Sequence, residues 1–179
     1  MMSAIFSFRA RSLPLVVCIG ILVTYGLQPV AWSQTLAMPT GDPILVIEGE
    51  IENTNVDGEA HFDREMLEAL GTVEIVTNTP WYTGAATFEG VPLARLMEHV
   101  GATGTEIEAI ALNDYRTTIP ISDFAEFGAI LAMKRDGADM PIRDKGPLFI
   151  IYPYDSNPDL SAQKYYSRSV WQLSRIKVM

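Results

Sequence analysis

Residues 77–93 most constrain how this chain can fold, because they join two predicted regular elements through a loop rich in turn-forming and hydroxyl residues. The preceding run, residues 73–76, is β-branched and typical of a strand. Pro92 marks the predicted start of a helix, where proline is tolerated since its missing N–H would be unpaired anyway. A loop that follows a strand and carries an aromatic such as Trp81 is a common ligand site. The competing interpretation is that Trp81 only anchors the loop by packing.

Residues 1–33 are predicted to be a signal peptide. Arg9 and Arg11 give the segment a positively charged start, and residues 13–27 form an apolar stretch of about 15 residues, which is short for a membrane span. Small residues at Ala31 and Ser33 predict cleavage before position 34. We therefore expect a periplasmic or secreted protein, and an uncleaved anchor is the alternative.

The predicted mature chain is acidic and lacks cysteine. The full sequence has 13 basic and 22 acidic residues, a net charge of −9, and removal of Arg9 and Arg11 leaves 11 basic residues and a net charge of −11. Such a chain repels nucleic acid and anionic membranes, so neither is an expected partner. The one cysteine, Cys18, lies in the predicted signal peptide. Disulfides, thiolate nucleophiles and thiolate metal ligands are therefore excluded together in the mature chain.

Short apolar runs bounded by turn residues predict an α+β fold: a strand-rich single domain of mixed sheets over residues 44–179, after a flexible polar lead-in at 34–43. Asp63 is the expected N-cap of a first short helix, and Ser122 of a third. Asp136-Gly137 predicts a hairpin turn. Residues 148–152 are expected to be a central strand, and 153–169 a long loop with about one helical turn. The remaining predicted strands are 44–51, 73–76, 106–112, 116–121, 129–133, 138–142 and 171–178, and the second helix runs from Pro92 to Gly101.

Common catalytic and metal-binding patterns are missing from the sequence. His61 and His99 have no second histidine or carboxylate at ligand spacing, so a metal site is not predicted. There is no Gly-x-Ser-x-Gly motif, Ser156 has no evident paired base, and no glycine-rich phosphate loop is present.

Three loops that follow predicted strands combine aromatic and hydrogen-bonding side chains: residues 77–83, 113–116 and 152–157. If these loops converge, they form a cleft with a stacking surface and several amides, hydroxyls and carboxylates, which suits a flat heterocycle with polar edges. Taken alone, each loop is better explained by a structural role, and it is the combination of the three that indicates a binding site. The candidate ligand-binding residues are Thr79, Trp81, Asn113, Asp114, Tyr115, Tyr154, Asp155 and Ser156.

A series of short motifs in a fixed order resembles the molybdopterin-binding domain of the sulfite oxidase family across residues 44–178. The motifs are Trp81, then FEGVPLARL at 88–96, ALNDY at 111–115, Ile119-Pro120, ILA at 130–132, Asp136-Gly137, Gly146-Pro147, Tyr152-Pro153, and VWQL at 170–173 with Ile176. The resemblance implies the mixed α/β fold of that family, with the pterin held in the cleft that these loops form.

The sequence departs from the family at the metal ligand. The family cysteine that holds molybdenum falls within residues 76–80, where this chain has Thr77, Asn78 and Thr79. A hydroxyl or an amide does not replace a soft, anionic thiolate. No cluster of Lys and Arg is evident for the cofactor phosphate. The chain thus resembles a cysteine-less branch of small exported pterin-binding proteins without redox catalysis.

The resemblance to that branch also implies a partner, because some members report pterin levels to a membrane-bound cyclic-di-GMP enzyme. We therefore expect a ligand sensor that regulates such a signalling protein. The alternative is a molybdopterin-dependent oxidoreductase that lacks the usual cysteine ligand.

The expected ligand is a metal-free pterin, with reduced pterins among the candidates, that is either phosphate-free or weakly anionic. Its ring would stack on Trp81. Its 2-amino and N3–H groups suit a carboxylate, with Asp155 and Asp114 as the two candidates. Asn113, Ser156, Thr79 or a backbone N–H could donate to the ring carbonyl and nitrogens. The competing explanation for Asp155 and Ser156 is that they stabilise a turn.

Overall fold

The computed structural model describes residues 36–179, which form two five-stranded sheets and four α-helices. The strands are β1 (Leu45–Gly49), β2 (Ala60–Phe62), β3 (Val73–Asn78), β4 (Ala85–Pro92), β5 (Glu106–Ala111), β6 (Arg116–Pro120), β7 (Ile130–Arg135), β8 (Ala138–Asp139), β9 (Phe149–Ile151) and β10 (Leu173–Val178). The helices are α1 (Arg64–Ala69), α2 (Leu93–His99), α3 (Ser122–Phe127) and α4 (Gln163–Arg168), with 3₁₀ turns at Ile142–Asp144, Tyr154–Ser156 and Pro158–Ser161. The predicted strand-rich α+β fold is confirmed.

The first sheet has the strand order β2-β1-β10-β5-β6, and β10 therefore lies at its centre. β1 and β10 run parallel, with Ile47 opposite Ile176, whereas the other pairs are antiparallel. Leu45 and Ile47 alternate with more exposed residues along β1, and both are completely buried. Because every second side chain of a strand points to the same face, Leu45 and Ile47 lie on one face of the sheet, and this face packs in the larger hydrophobic cluster of the protein, the main core.

The second sheet contains β3, β4 and β7 in that order, and β8 and β9 pair with opposite ends of β7. A bulge between Glu89 and Gly90 shifts the pairing of β4 with β7. At Gly90 a side chain would not fit, since a Cβ atom would lie 2.1 Å from the carbonyl oxygen of Leu131. The close approach of β4 to β7 thus depends on glycine at this position.

Two hydrophobic clusters make up the core. The larger one includes Leu67, Leu96 and Tyr152, and the smaller one includes Phe88 and Phe149. Trp81 packs against both clusters. The loop after β3 is therefore fixed at the junction between them.

Asp63 caps α1 as predicted and also holds the segment before β1. Its carboxylate accepts hydrogen bonds from the backbone N–H of Met66 (2.9 Å), Gly41 (2.9 Å) and Thr40 (2.7 Å). The hydrogen bonds from Gly41 and Met66 lower the pKa of Asp63. Residues 36–43, part of the predicted lead-in, are thus tied to the start of α1.

Several element predictions are wrong. Residues 85–92 form the strand β4 rather than a loop; their Gly and Pro are typical of turns, but β3 and β7 supply ladder partners on both sides. β2 was not predicted. Ser122 is the first helical residue of α3 and makes no capping bond, since Ile121 occupies the cap. β9, within the predicted central strand, is fully buried, and β7 is its one strand partner among residues 36–179. Its other side is joined to residues 170–173 by the bridge between Phe149 and Trp171 and by the hydrogen bond from the N–H of Ile150 to the carbonyl oxygen of Val170 (3.0 Å).

Residues 153–169 contain two 3₁₀ turns and α4, more structure than the predicted loop. α4 lacks a side-chain N-cap, which removes the usual sequence signal for a helix start. Within residues 36–179, none of the helices is long and apolar enough to cross a membrane. The predicted signal peptide lies outside the described residues.

Candidate functional site

A cleft of about 270 Å³ opens between α4, the turn that joins β5 to β6, and two tryptophans. Its lining combines four aromatic side chains with two amides and two hydroxyls. The lining residues are Trp81, Ala111, Asn113, Tyr115, Gln163, Tyr166, Ser167, Ser169, Val170 and Trp171.

Trp81 is the aromatic centre of the site. On its inner side its ring meets Phe149 at 5.2 Å and Tyr154 at 6.2 Å between centroids. On the side of the cleft it meets Trp171 at 5.9 Å and Tyr166 at 6.0 Å. All four contacts are edge-on, which is a favourable geometry for aromatic pairs and fixes the orientation of the indole.

The turn between β5 and β6 supplies one wall. The side-chain oxygen of Asn113 accepts a hydrogen bond from the backbone N–H of Tyr115 (3.2 Å), and Asp114 between them adopts a left-handed conformation with φ of 63°. The hydroxyl of Tyr115 donates to the carbonyl oxygen of Ser167 across the cleft (2.9 Å). The turn is therefore connected directly to α4.

The opposite wall is one face of α4. Gln163, Tyr166 and Ser167 are spaced i, i+3, i+4, so they share a face, and all three line the cleft. The hydroxyl of Ser167 donates to the carbonyl oxygen of Gln163 (3.1 Å). Tyr165 lies on the other face and is buried in the main core.

Ser169 lines the cleft, and the buried side chain of Tyr154 lies behind it, outside the lining. The hydroxyl of Ser169 donates to the carbonyl oxygen of Tyr165 (2.9 Å) and is hydrogen-bonded to the hydroxyl of Tyr154. Burial raises the pKa of Tyr154 well above its ordinary value. Tyr154 therefore remains protonated, and its hydroxyl is committed to Ser169.

The structure brings Trp81, Asn113 and Tyr115 together, as the convergence of two of the three loops predicts. The third loop meets the first one behind the cleft and adds no residue to its lining: Tyr154 packs on Trp81, and Asp155 accepts hydrogen bonds from the backbone N–H (2.8 Å) and the side-chain amide (2.9 Å) of Asn78. Asp155 thus holds the end of β3.

The other candidates are also outside the cleft lining. Ser156 is exposed in a 3₁₀ turn, and Asp114 is exposed at the tip of the β5–β6 turn. The hydroxyl oxygen of Thr79 is buried and has no hydrogen-bond partner among residues 36–179. Neither candidate carboxylate therefore contributes to the cleft.

The cleft is electrically neutral, since no Asp, Glu, Lys, Arg or His belongs to its lining. Two cations on α4 lie close by but are engaged elsewhere. Arg168 donates to Asp123 (2.7 Å), and the ammonium of Lys164 lies 4.6 Å from the ring of Tyr165.

The candidates predicted from the sequence do not include Gln163, Tyr166, Ser167 and Trp171, which line the cleft. The helical spacing of the first three was a usable signal, but it falls within a segment predicted as loop. Trp171 precedes β10, pairs with Phe149 through a backbone bridge and contacts its ring. Only the tertiary contact reveals that role.

Comparison with known proteins identifies the family. A family model described as the oxidoreductase molybdopterin binding domain matches residues 58–178. No curated protein sequence matches the chain. Among solved structures, the chain is similar to the sulfane dehydrogenase SoxCD from Paracoccus pantotrophus, with a TM-score of 0.55 and 16% identity over 80% of this chain. It spans 40% of the length of that protein's chain, and the likeness extends to the fold alone.

Proposed function

Because the chain belongs to the oxidoreductase molybdopterin-binding domain family, we propose that its cleft binds a metal-free pterin without redox catalysis. The observation that carries the proposal is the lining of the cleft: aromatic rings and neutral amides, with no charged side chain. A flat, uncharged heterocycle with hydrogen-bonding edges matches this combination.

The aromatic rings supply the stacking surface. Trp81, Tyr115, Tyr166 and Trp171 all line the cleft, and the edge-on contacts of Trp81 hold its indole in place before any ligand enters. Stacking on such a ring contributes about 1 kcal/mol beyond the burial of apolar area. Because the ring is already ordered, binding does not have to restrict its rotation.

The amides of Asn113 and Gln163 supply the edge recognition. The oxygen of each side-chain amide can accept from the 2-amino group or N3–H of a pterin, and its NH₂ group can donate to the carbonyl oxygen of the ring. These amides replace the carboxylates expected from the sequence. A polar group of the ligand that is left unpaired in the cleft would cost about 1–3 kcal/mol. The cleft therefore favours heterocycles whose donors and acceptors match those of the two amides.

The size and charge of the cleft favour a ligand without a phosphate. Its volume of about 270 Å³ lies below the usual range of about 300–1,000 Å³ for ligand pockets. A phosphate needs charge-assisted donors, and the nearby Arg168 already pairs with Asp123. A phosphate in this cleft would lose its hydration without gaining a cation.

The residues at the family metal position do not suit molybdenum. Thr77 is completely buried, and its hydroxyl donates to the carbonyl oxygen of Asn78 (3.3 Å) and accepts from the N–H of Asp155 (3.1 Å). The amide of Asn78 is held by Asp155. None of these groups is an anionic soft ligand. Within residues 36–179, no group of three or more His, Cys, Asp or Glu residues is placed to hold a metal ion.

The ligand content of the purified protein tests the proposal. Denaturation should release a fluorescent pterin, and elemental analysis of protein from molybdenum-replete cells should find no stoichiometric molybdenum. A stoichiometric metal would instead support the alternative, a molybdopterin-dependent oxidoreductase without the usual cysteine.

Variants locate the site. Asn113→Ala and Gln163→Ala should each weaken the binding of added reduced pterin about tenfold, equivalent to about 1.4 kcal/mol. Trp81→Ala should weaken it further. The matched control is Lys164→Ala, which removes the neighbouring α4 side chain outside the cleft lining. Wild-type protein that binds no pterin, or equal affinity in all variants, would contradict the proposal.

Export and a signalling role belong to the same proposal. We infer a periplasmic or secreted ligand sensor that docks on the outward-facing part of a membrane-bound signalling protein such as a cyclic-di-GMP enzyme, as the cysteine-less branch implies. N-terminal sequencing of the secreted chain should give Gln34 as its first residue. Pull-down from envelope extracts, with and without pterin, should recover a membrane protein, and recovery of none would favour a carrier role.

A further inference from the structure

Tyr115 differs from the other aromatic residues of the cleft in how its side chain is held. The rings of Trp81, Tyr166 and Trp171 each pack against further aromatic rings, whereas Tyr115 has no aromatic neighbour of this kind among residues 36–179. Tyr115 is 45% exposed, and its hydroxyl donates to the carbonyl oxygen of Ser167 on the opposite wall (2.9 Å). This hydrogen bond therefore fixes the end of the side chain across the cleft.

The backbone of Tyr115 is fixed, so its side chain is the part that can move. The carbonyl oxygen of Tyr115 accepts from the N–H of Ala111 (2.9 Å), and its N–H donates to the side-chain oxygen of Asn113 (3.2 Å). Rotation of the side chain leaves both of these hydrogen bonds intact. Opening the cleft at Tyr115 therefore requires no change in the β5–β6 turn.

The carbonyl oxygen of Ser167 is suited to a hydrogen bond that breaks and forms again. Ser167 lies in the last turn of α4, where backbone carbonyl groups have no partner within the helix. When the side chain of Tyr115 rotates away, water can pair with both the hydroxyl and the carbonyl oxygen, so the net contribution of the bond is modest. The bond is strong enough to favour the closed cleft and weak enough for a ligand to break.

We propose that Tyr115 is a latch that selects pterins with a short side chain at C6 over folates, whose substituent at C6 is long. This inference rests on the proposed pterin function of the cleft. With the latch closed, the cleft has a volume of about 270 Å³, which is small for a ligand pocket. A pterin with a short substituent fits behind the closed latch, whereas a long substituent has to leave through the mouth and displace Tyr115.

The latch predicts unequal effects of Tyr115→Phe, which keeps the ring and removes the hydrogen bond to Ser167. A short-chain pterin binds behind the ring in both proteins, so its Kd should stay at the wild-type value while association and dissociation both become faster. A folate has to break the bond in the wild type but not in the variant, so its Kd should fall about fivefold. Charge does not account for this difference, because the substitution leaves the charge of the cleft unchanged.

Titration of the full chain with dihydrobiopterin and dihydrofolate tests the selection, and stopped-flow fluorescence gives the rates. The matched control is Tyr165→Phe, which removes a hydroxyl from the opposite face of α4 and should leave both Kd values unchanged. An unchanged Kd for dihydrofolate in Tyr115→Phe would overturn the proposal. Weaker binding of dihydrobiopterin, with faster dissociation alone, would also overturn it, since the hydroxyl would then contact the ligand itself.

Quenching of tryptophan fluorescence by acrylamide tests the latch without a pterin. In the full chain with Trp32→Phe, the remaining tryptophans are Trp81 and Trp171, and both line the cleft. Tyr115→Phe should raise the quenching constant, whereas Tyr165→Phe should not. Equal quenching in the wild type and Tyr115→Phe would overturn the latch. The expected difference in quenching, in a protein that binds neither pterin, would support the latch and contradict the proposed function.

Discussion

Arg168 donates a 2.7 Å hydrogen bond to Oδ2 of Asp123, and this contact joins α4, one wall of the cleft, to α3. The same oxygen accepts a 3.0 Å hydrogen bond from the hydroxyl of Tyr152. Burial raises the pKa of Tyr152, with the charge of Asp123 acting in the same direction, so this hydroxyl remains a donor. α4 is a short helix without a side-chain cap, and this ion pair is one of the contacts that hold it in place.

Arg168→Met should therefore lower the free energy of unfolding by about 3 kcal/mol, because it leaves the nearly buried Asp123 without its cation. Urea denaturation measures the change. The control is Arg64→Met: its partner Asp139 is 61% exposed, and the loss should stay below about 1 kcal/mol. Equal losses in the two variants would show that the Asp123 pair has no special structural role.

The stability of the first sheet should depend on pH through Glu59. Hydrogen bonds from His61 and Arg175 lower the pKa of Glu59 from 4.5 to about 2. A depressed carboxyl pKa stabilises the fold above pH 4.5, and this contribution is lost as pH falls from 4.5 to 2. Glu59→Gln should be less stable than wild type at neutral pH, and the difference should disappear near pH 2.

The control for Glu59 is Glu126→Gln, which changes an exposed carboxylate without a side-chain partner among residues 36–179. Thermal unfolding across this pH range should show little difference between this variant and wild type. A Glu59→Gln deficit that persisted unchanged at pH 2 would mean that ionisation of Glu59 is not its cause.

Gly90→Ala should destabilise the second sheet by about 3 kcal/mol, because the new Cβ would lie 2.1 Å from the carbonyl oxygen of Leu131 and the two strands would have to separate. Gly41→Ala serves as the control, since its Cβ would meet Asp63 at an ordinary 3.6 Å. Chemical denaturation of both variants measures the difference. A well-tolerated alanine at position 90 would contradict the close approach of β4 to β7.

Asp155→Ala should separate stability from ligand binding. The variant loses two hydrogen bonds to Asn78 and should be less stable by about 1 kcal/mol. Its affinity for pterin should stay at the wild-type value, in contrast to Gln163→Ala, because Asp155 lies outside the cleft lining. Paired urea titrations and fluorescence titrations distinguish the two effects. A large loss of affinity with unchanged stability would instead support the direct carboxylate contact expected from the sequence.

Local patterns in the sequence were sufficient to predict many of the helices, strands and turns. The Asp63 cap and the Asp136-Gly137 turn depend on interactions between residues close in the chain, and both are confirmed. β4 could not be recognised in this way, because residues that are typical of a turn become a strand once β3 and β7 provide partners.

The candidate site shows the same division. Trp81 and the β5–β6 turn were identifiable, since aromatic and amide residues after strands are a local signal. Which segments line the cleft was decided by contacts across the chain. Asp155 binds Asn78, 77 residues away, behind the cleft, and α4 lines it in place of residues 152–157. The sequence by itself determined the family and the lack of a thiolate at residues 76–80, and it singled out Trp81 as a candidate for stacking. Only the tertiary structure decided that the cleft is neutral, because that property depends on which charged side chains are paired elsewhere.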